Sequence, residues 1–325
     1  FQGNLPQKVQ DSLVLIEEVF ANSSFSTNVQ SGNMTEIIGL VSEIDETAIL
    51  KTDLLGDAIE SALSETGGTQ DIGLHRTPDH IRQMMVALAD PTFEDTIFDP
   101  ACGTGGFLFD AWHYTLEKVT KDGKWPSQKC PPNNQEIVNY FKRYFSKFNE
   151  PMPDIDTANR FYREGISGIE YLGKIRKMAA INLYIRGLNP ANIIQGDSLA
   201  RFDPAIDDNS KTLILSNPPF GAKRDQPAYP NVWQEYAKES ETTILFVKLM
   251  LDLLRQGGRC AVVVSEGFLT WDKASARILR KMLLEETNLR AIISLPQGVF
   301  VSKKGQGAKT SILYFERGEP TKWIW

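Results

Sequence analysis

Thr96-Ile97-Phe98-Asp99-Pro100-Ala101-Cys102-Gly103-Thr104-Gly105-Gly106-Phe107 is the stretch that decides the fold. A short apolar strand ending at Asp99 runs into a glycine-rich turn, and Gly105 to Val119 continues as a helix. Glycines at that place let backbone pass close to a ligand, and the helix start presents free N–H groups to an anion. The spacing is not the GxGxxG of a dinucleotide fold, and there is no GK[ST] of a P-loop. The carboxylate of an amino-acid-like ligand suits this helix end as well as a phosphate does.

Outward from this unit, strands and helices alternate. Strands are expected at Ile166 to Glu170, Ile193 to Gln195, Leu213 to Ser216, Cys260 to Val264, Ala291 to Ser294 and Ser311 to Phe315. Helices are expected at Tyr171 to Ile185, at Thr243 to Leu254 with a stop at Gly257-Gly258, and at Ala274 to Leu284. Upstream, Thr77-Pro78 opens a helix to about Ala89, with Thr77 as the cap and Pro78 in the first turn. With the strand at Thr96 to Asp99, this predicts an α/β fold with a doubly wound, seven-stranded, mostly parallel sheet. Residues 4–70 read as a helical N-terminal region, from apolar residues such as Leu13, Ile16, Val19 and Phe20. Residues 71–325 form the main domain, with a helical insertion at about 121–164. Phe1-Gln2-Gly3 reads as the remnant of a cleavable tag.

Composition narrows the classes. The chain has 325 residues, 42% hydrophobic content, a net charge of −6, three cysteines and three histidines. Cys102, Cys130 and Cys260 have no CxxC spacing, so no zinc site or disulfide framework is expected, and a reducing, cytoplasmic setting follows. No apolar run of about 18 residues suggests a membrane span. An acidic chain that works on nucleic acid needs a local basic patch or a partner, because phosphate neutralisation supplies most non-specific affinity. Lys223 and Arg224 in one loop and Lys303, Lys304 and Lys309 in another are the candidate patches.

In open α/β sheets ligands bind at the carboxyl ends of the strands. Three successive strands end in acids: Asp99, Glu170 and Asp197. An acid after the second strand is placed to hold ribose hydroxyls. Asp197 is placed to accept from an adenine amino group. With the glycine loop these describe a nucleoside-shaped cleft with an amino-acid tail, the shape of S-adenosylmethionine. The next strand runs into Asn217-Pro218-Pro219-Phe220. Asn217 offers an amide oxygen, the prolines fix the backbone, and Phe220 offers a face for a planar ring. Phe300 reads equally as a second wall of that pocket or as core.

In this order, the Thr77-Pro78 helix start, the loop DPACGTGGF, Glu170, Asp197 and NPPF resemble an amino-group DNA methyltransferase of the gamma group. More narrowly, GIEYLGKIRKMAAINLYIRG (Gly168 to Gly187) resembles the modification (methylation) subunit of type I restriction-modification systems. The resemblance implies the S-adenosylmethionine-dependent methyltransferase fold and methylation of adenine N6 in DNA. It implies that His75, Arg76, Thr77 and Pro78 help hold the methionine end of S-adenosylmethionine, although His75 and Arg76 stand where the family has aromatic residues. Asp99, Gly103, Thr104, Gly105 and Gly106 would surround that end, with Glu170 on the ribose and Asp197 on the adenine. Asn217 and the Pro218 carbonyl would accept from the target amino group, Pro219 would hold them, and Phe220 would stack on the base. The implied partners are DNA, a specificity subunit, a second copy of the chain and a nuclease subunit. Cytosine-N4 or protein-glutamine methylation, or a non-catalytic assembly subunit of this fold, remain as alternatives.

Overall fold

The computed structural model describes residues 77–119, 153–184, 186, 188–201, 207, 209–219, 241–300 and 309–325. The helices expected over residues 4–70, most of the insertion, His75, Arg76, Phe220, Lys223, Arg224, Lys303 and Lys304 lie outside them.

Helix α1 (Asp79–Ala89) buries Ile81, Arg82, Met85, Val86 and Ala89, the spacing of one helical face. Pro78 rather than Thr77 is its N-cap, and no side chain caps it. The Pro78 carbonyl instead accepts from the backbone N–H groups of Ile81 and Arg82. Strand β1 (Ile97–Asp99) and helix α2 (Gly106–Val119) flank the glycine loop. Past the insertion, α3 (Ile155–Arg160) continues as a π-helical turn at Phe161–Gly165 into β2 (Ile166–Glu170). Helix α4 (Gly173–Tyr184), β3 (Ile193–Gln195), α5 (Ser198–Arg201) and β4 (Lys211–Ser216) follow. The remainder is α6 (Thr242–Leu253), β5 (Leu254–Ser265), α7 (Gly267–Thr270), α8 (Ala274–Glu286), β6 (Thr287–Ser294) and β7 (Thr310–Arg317).

The strands form one seven-stranded sheet in the order β3-β2-β1-β4-β5-β7-β6. The pairs from β3 through β5 are parallel, and β7 runs antiparallel to both β5 and β6. Side chains alternate across the sheet. Ile97, Leu213, Leu215, Ala261, Val263 and Ile312 pack on one face with Met85, Leu108, Trp112 and Leu183 from α1, α2 and α4. Phe98, Ile214, Cys260, Val262, Leu313 and Phe315 pack on the other with Leu245, Leu249, Leu279 and Leu283 from α6 and α8. Helices on both faces make the strands apolar on both sides, as expected of a parallel sheet.

One boundary differs from the sequence expectation. Helix α6 ends at Leu253, and Leu254 already pairs with Lys211. Gly257 and Gly258 do not stop the helix. They shape an excursion of β5, since β4 steps from Lys211 to Leu213 while β5 steps from Leu254 to Arg259. A Cβ on Gly258 would lie 2.9 Å from the Lys211 carbonyl oxygen, so only glycine allows that approach.

Candidate active site

The sheet order brings the strand ends together in a fixed sequence. Asp197 follows β3, Glu170 ends β2, Asp99 ends β1 and Asn217 follows β4, on four adjacent parallel strands. Three strand spacings of about 4.8 Å place the outer two roughly 14 Å apart.

Asp99 is buried, at 1% exposure. Its Oδ1 accepts from the Ala101 backbone N–H at 2.9 Å and from the Ser216 hydroxyl at 2.6 Å. Among the described residues no hydrogen bond reaches Oδ2. Burial pushes its pKa up to about 7 despite those two donors, and Glu170 adds to the rise. Glu170 is also buried and likewise titrates above the usual carboxylate range, because desolvation outweighs its bonds from Leu172 and Gly103. Its Oε1 accepts from Leu172 N–H at 2.7 Å and its Oε2 from Gly103 N–H at 3.0 Å. Two desolvated carboxylates side by side favour a cationic ligand and oppose a phosphate.

The loop between them is held from several sides. Gly103 and Gly105 have φ of 56° and 89°, the left-handed region that glycine occupies without strain. Among the described residues, a Cβ at Gly103 would meet nothing within 4 Å, so they leave the space over the loop open. The Asn182 amide donates to the Thr104 carbonyl at 3.0 Å, and Gly105 N–H to the Cys102 carbonyl at 2.8 Å. A Cβ on Gly106 would lie 3.0 Å from the Arg82 ε-nitrogen. Arg82 pairs with Asp110 at 2.8 Å and donates to the Thr77 carbonyl at 3.0 Å, which ties the start of α1 to the glycine loop. Thr77 is thereby tied to the loop through Arg82.

Asp197 is half-buried, and its Oδ1 accepts from Leu199 N–H at 3.1 Å. The adjacent Ser198 hydroxyl donates to the Pro100 carbonyl, joining this acid to the glycine loop. Asn217 is half-buried and follows Ser216 directly; Pro218 is buried. The Pro219 carbonyl accepts from the Thr242 hydroxyl at 2.5 Å, which fixes the turn against the start of α6. Phe300 is 3% exposed within the core beneath the sheet, so of its two readings the structure supports core. Lys309 pairs with Glu266 at 2.9 Å.

Arg82, Asn182, Ser198, Ser216 and Thr242 were not singled out from the sequence. Each acts on a site residue far away in the chain or through backbone. Only Ser216 offered a hint, as the residue directly before Asn217. Among the described residues no cluster of His, Cys, Asp and Glu has the makings of a metal site. No helix among them is long and apolar enough to cross a membrane.

A seven-stranded sheet with β7 antiparallel, and acids at the ends of β1, β2 and β3, defines the fold of S-adenosylmethionine-dependent methyltransferases. Residues 50–325 match the N-6 DNA Methylase family, and the chain belongs to that family. It is 31% identical over 295 residues to the Type I restriction enzyme EcoEI methylase subunit of Escherichia coli, covering 90% of this chain and 52% of that protein. It is 24% identical over 332 residues to the Type I restriction enzyme StySJI methylase subunit of Salmonella typhimurium, covering 99% of this chain and 55% of that protein. A solved chain of a type I R-M system superposes with a TM-score of 0.67 at 23% identity, over 100% of this chain and 58% of that one. The chain therefore spans about half the length of the curated relatives it matches.

Proposed function

We propose that this chain is the methyl-transferring part of a type I restriction-modification methylase subunit, acting on N6 of an adenine flipped out of DNA with S-adenosylmethionine as methyl donor. The carrying observation is the order of groups across the sheet: Asp197, Glu170, Asp99 with the glycine loop, then Asn217. That is the order of adenine, ribose, methionine end and methyl acceptor along the donor and its target.

The residues present fit this donor. It is cationic at sulfur and at its amino group, which matches two carboxylates whose ionisation burial opposes. Asp99 Oδ2 is the oxygen left for the amino group. The N-terminal start of α2 faces the carboxylate, while the Gly103 and Gly105 N–H groups are taken by Glu170 and the Cys102 carbonyl. Each Glu170 oxygen has a second lone pair, so ribose hydroxyls bind there without displacing the loop. Asp197 accepts from the adenine amino group, and His75, Arg76, Thr77 and Pro78 help hold the methionine end. When bound, S-adenosylmethionine supplies a methyl group activated by its positive sulfur.

The protein's own part is positioning and electrostatics. The lone pair of an exocyclic amine is delocalised into its ring. Two acceptors, the Asn217 amide oxygen and the Pro218 carbonyl, draw on its hydrogens and turn the nitrogen lone pair toward the methyl. Pro219 keeps both in place through Thr242, and Phe220 stacks on the base. Taking the base out of the duplex costs a few kcal/mol, which stacking worth roughly 1–3 kcal/mol partly offsets. The proposal extends to the domain plan, with residues 4–70 as a helical region ahead of a catalytic domain over 71–325. It also takes in a cytoplasmic location and assembly with a specificity subunit, a second copy and a nuclease subunit. An acidic chain borrows its grip on DNA from such partners. The test is transfer of labelled methyl to unmodified DNA, with and without a specificity subunit. Label on adenine N6 supports the proposal; label on cytosine or on protein, or none in the full complex, refutes it.

A further inference from the structure

We infer that Ser216 is a positioning residue, which aims Asp99 at the donor's cationic end and couples the donor half of the cleft to the acceptor half. The inference rests on the function proposed above.

Ser216 is the last residue of β4 and is fully buried. Its hydroxyl crosses to β1 and donates to Asp99 Oδ1 at 2.6 Å, the length of a hydrogen bond to an ionised oxygen. Strands β1 and β4 pair in register at Ile97–Leu213 and Phe98–Ile214, and this bond is made beyond those pairs. Ala101 N–H shares the same oxygen, so both protein donors fall on Oδ1 and Oδ2 stays directed elsewhere. The next residue is Asn217. One hydroxyl therefore sets the rotation of the donor-side acid and anchors the strand end that presents the acceptor-side amide.

The surroundings make this bond decisive. Among the described residues, the titratable groups that interact with Asp99 are Glu170 on β2, Cys102 in the loop and Cys260 on β5, and none is cationic. Among the described residues, Ser216 is the sole side chain donating to Asp99. A cationic ligand needs Asp99 ionised. Below the pKa of the free protein, binding must first expel a proton, so affinity falls as the solution is acidified. Removing the Ser216 hydroxyl takes away one of two groups that favour the ionised form, so the proton is held more tightly.

The experiment is calorimetric titration of the full chain, in complex with its specificity subunit, with S-adenosylmethionine across the neutral pH range. The unaltered protein should lose affinity as pH drops through about 7. Ser216→Ala should raise that midpoint by about one pH unit, weakening binding about fivefold at pH 7 and about tenfold well below the midpoint. Ser216→Thr keeps the hydroxyl and should restore the midpoint. Ser311→Ala removes another fully buried serine hydroxyl, on β7, and should leave the midpoint unmoved. Should Ser216→Ala fail to fold, Ser216→Cys keeps the volume with a weaker donor and should also raise the midpoint. An unmoved midpoint in the Ala or Cys variant overturns the inference while leaving the proposed function standing. No binding by the unaltered protein at any pH overturns both.

Discussion

Gly168→Ala tests how closely the glycine loop lies on its neighbouring strand. Gly168 sits mid-strand in β2, directly alongside Asp99 of β1. An added Cβ would lie 2.9 Å from the Cys102 Cβ, 3.0 Å from its Sγ and 3.1 Å from the Asp99 carbonyl oxygen. Carbon atoms in good contact sit about 3.5–4.0 Å apart, so the loop must retreat by roughly half an ångström or more. It is not free to do so. Cys102 N–H donates to the Ile169 carbonyl at 3.0 Å and Gly103 N–H to Glu170 at 3.0 Å. Overpacking of this kind costs about 1–3 kcal/mol. In a domain of this size each kcal/mol lowers Tm by about 2–4 °C. Donor affinity should fall as well, by up to about 100-fold or about 2.8 kcal/mol, because the displaced atoms are those proposed to face the ligand. Calorimetry gives both numbers, Tm by scanning and affinity by titration. Cys102→Gly in the same chain removes two of the three contacts, so the double variant should recover part of the loss, a coupling of about 0.5–3 kcal/mol. If Gly168→Ala equals the unaltered protein in Tm and affinity, the loop does not lie against β2 as described.

Asn217→Ala should lower turnover by about 100- to 1,000-fold while donor affinity stays within a few-fold; a large loss of donor binding would show that Asn217 belongs to the other half of the cleft. Glu170→Gln replaces one of two accepting oxygens, which meet Gly103 and Leu172, with an amide that donates. Donor affinity should fall roughly 10- to 100-fold, from the loss of a bond to a charged group worth about 1.5–3 kcal/mol, and isothermal titration with no change would remove Glu170 from the site. Asp95 offers a test of stability at the opposite end of the sheet. Its burial alone would raise its pKa, but Arg259, bonded to both its oxygens at 2.9 Å, together with Thr212 and Thr92, holds it below the ordinary value of 3.8. A lowered carboxylate pKa means stability that is present above 3.8 and lost as pH falls through the folded-state value. Arg259→Ala should therefore destabilise by roughly 3–5 kcal/mol at neutral pH, with the gap to the unaltered protein closing in acid, and urea unfolding that shows a constant gap would refute it.

What the sequence made legible and what it hid divide along a physical line. The central strands were legible because they are buried on both faces, so apolar residues run continuously, as in Leu213-Ile214-Leu215. The chemistry at the strand ends was legible because parallel strands point their carboxyl ends the same way, and the acids at Asp99, Glu170 and Asp197 had to share one edge. Periodicity does not encode what lies across the sheet. Ser216 looks like the polar end of any strand until β1 is placed beside it. Arg82 looks like a solvated position on an amphipathic helix until Asp110 and Gly106 arrive from α2. Glu170 was read as a ligand-binding acid, yet it also pins the glycine loop, and only the distance to Gly103 reveals that task. Gly257 and Gly258 were misread for the converse reason. Glycine marks either a helix end or a close backbone approach, and the deciding atom, the Lys211 carbonyl oxygen, belongs to another strand. Residues proposed to touch ligand stand out by what they are, whereas residues that hold them were hidden because their meaning comes from partners about 30 to 120 positions away in the chain.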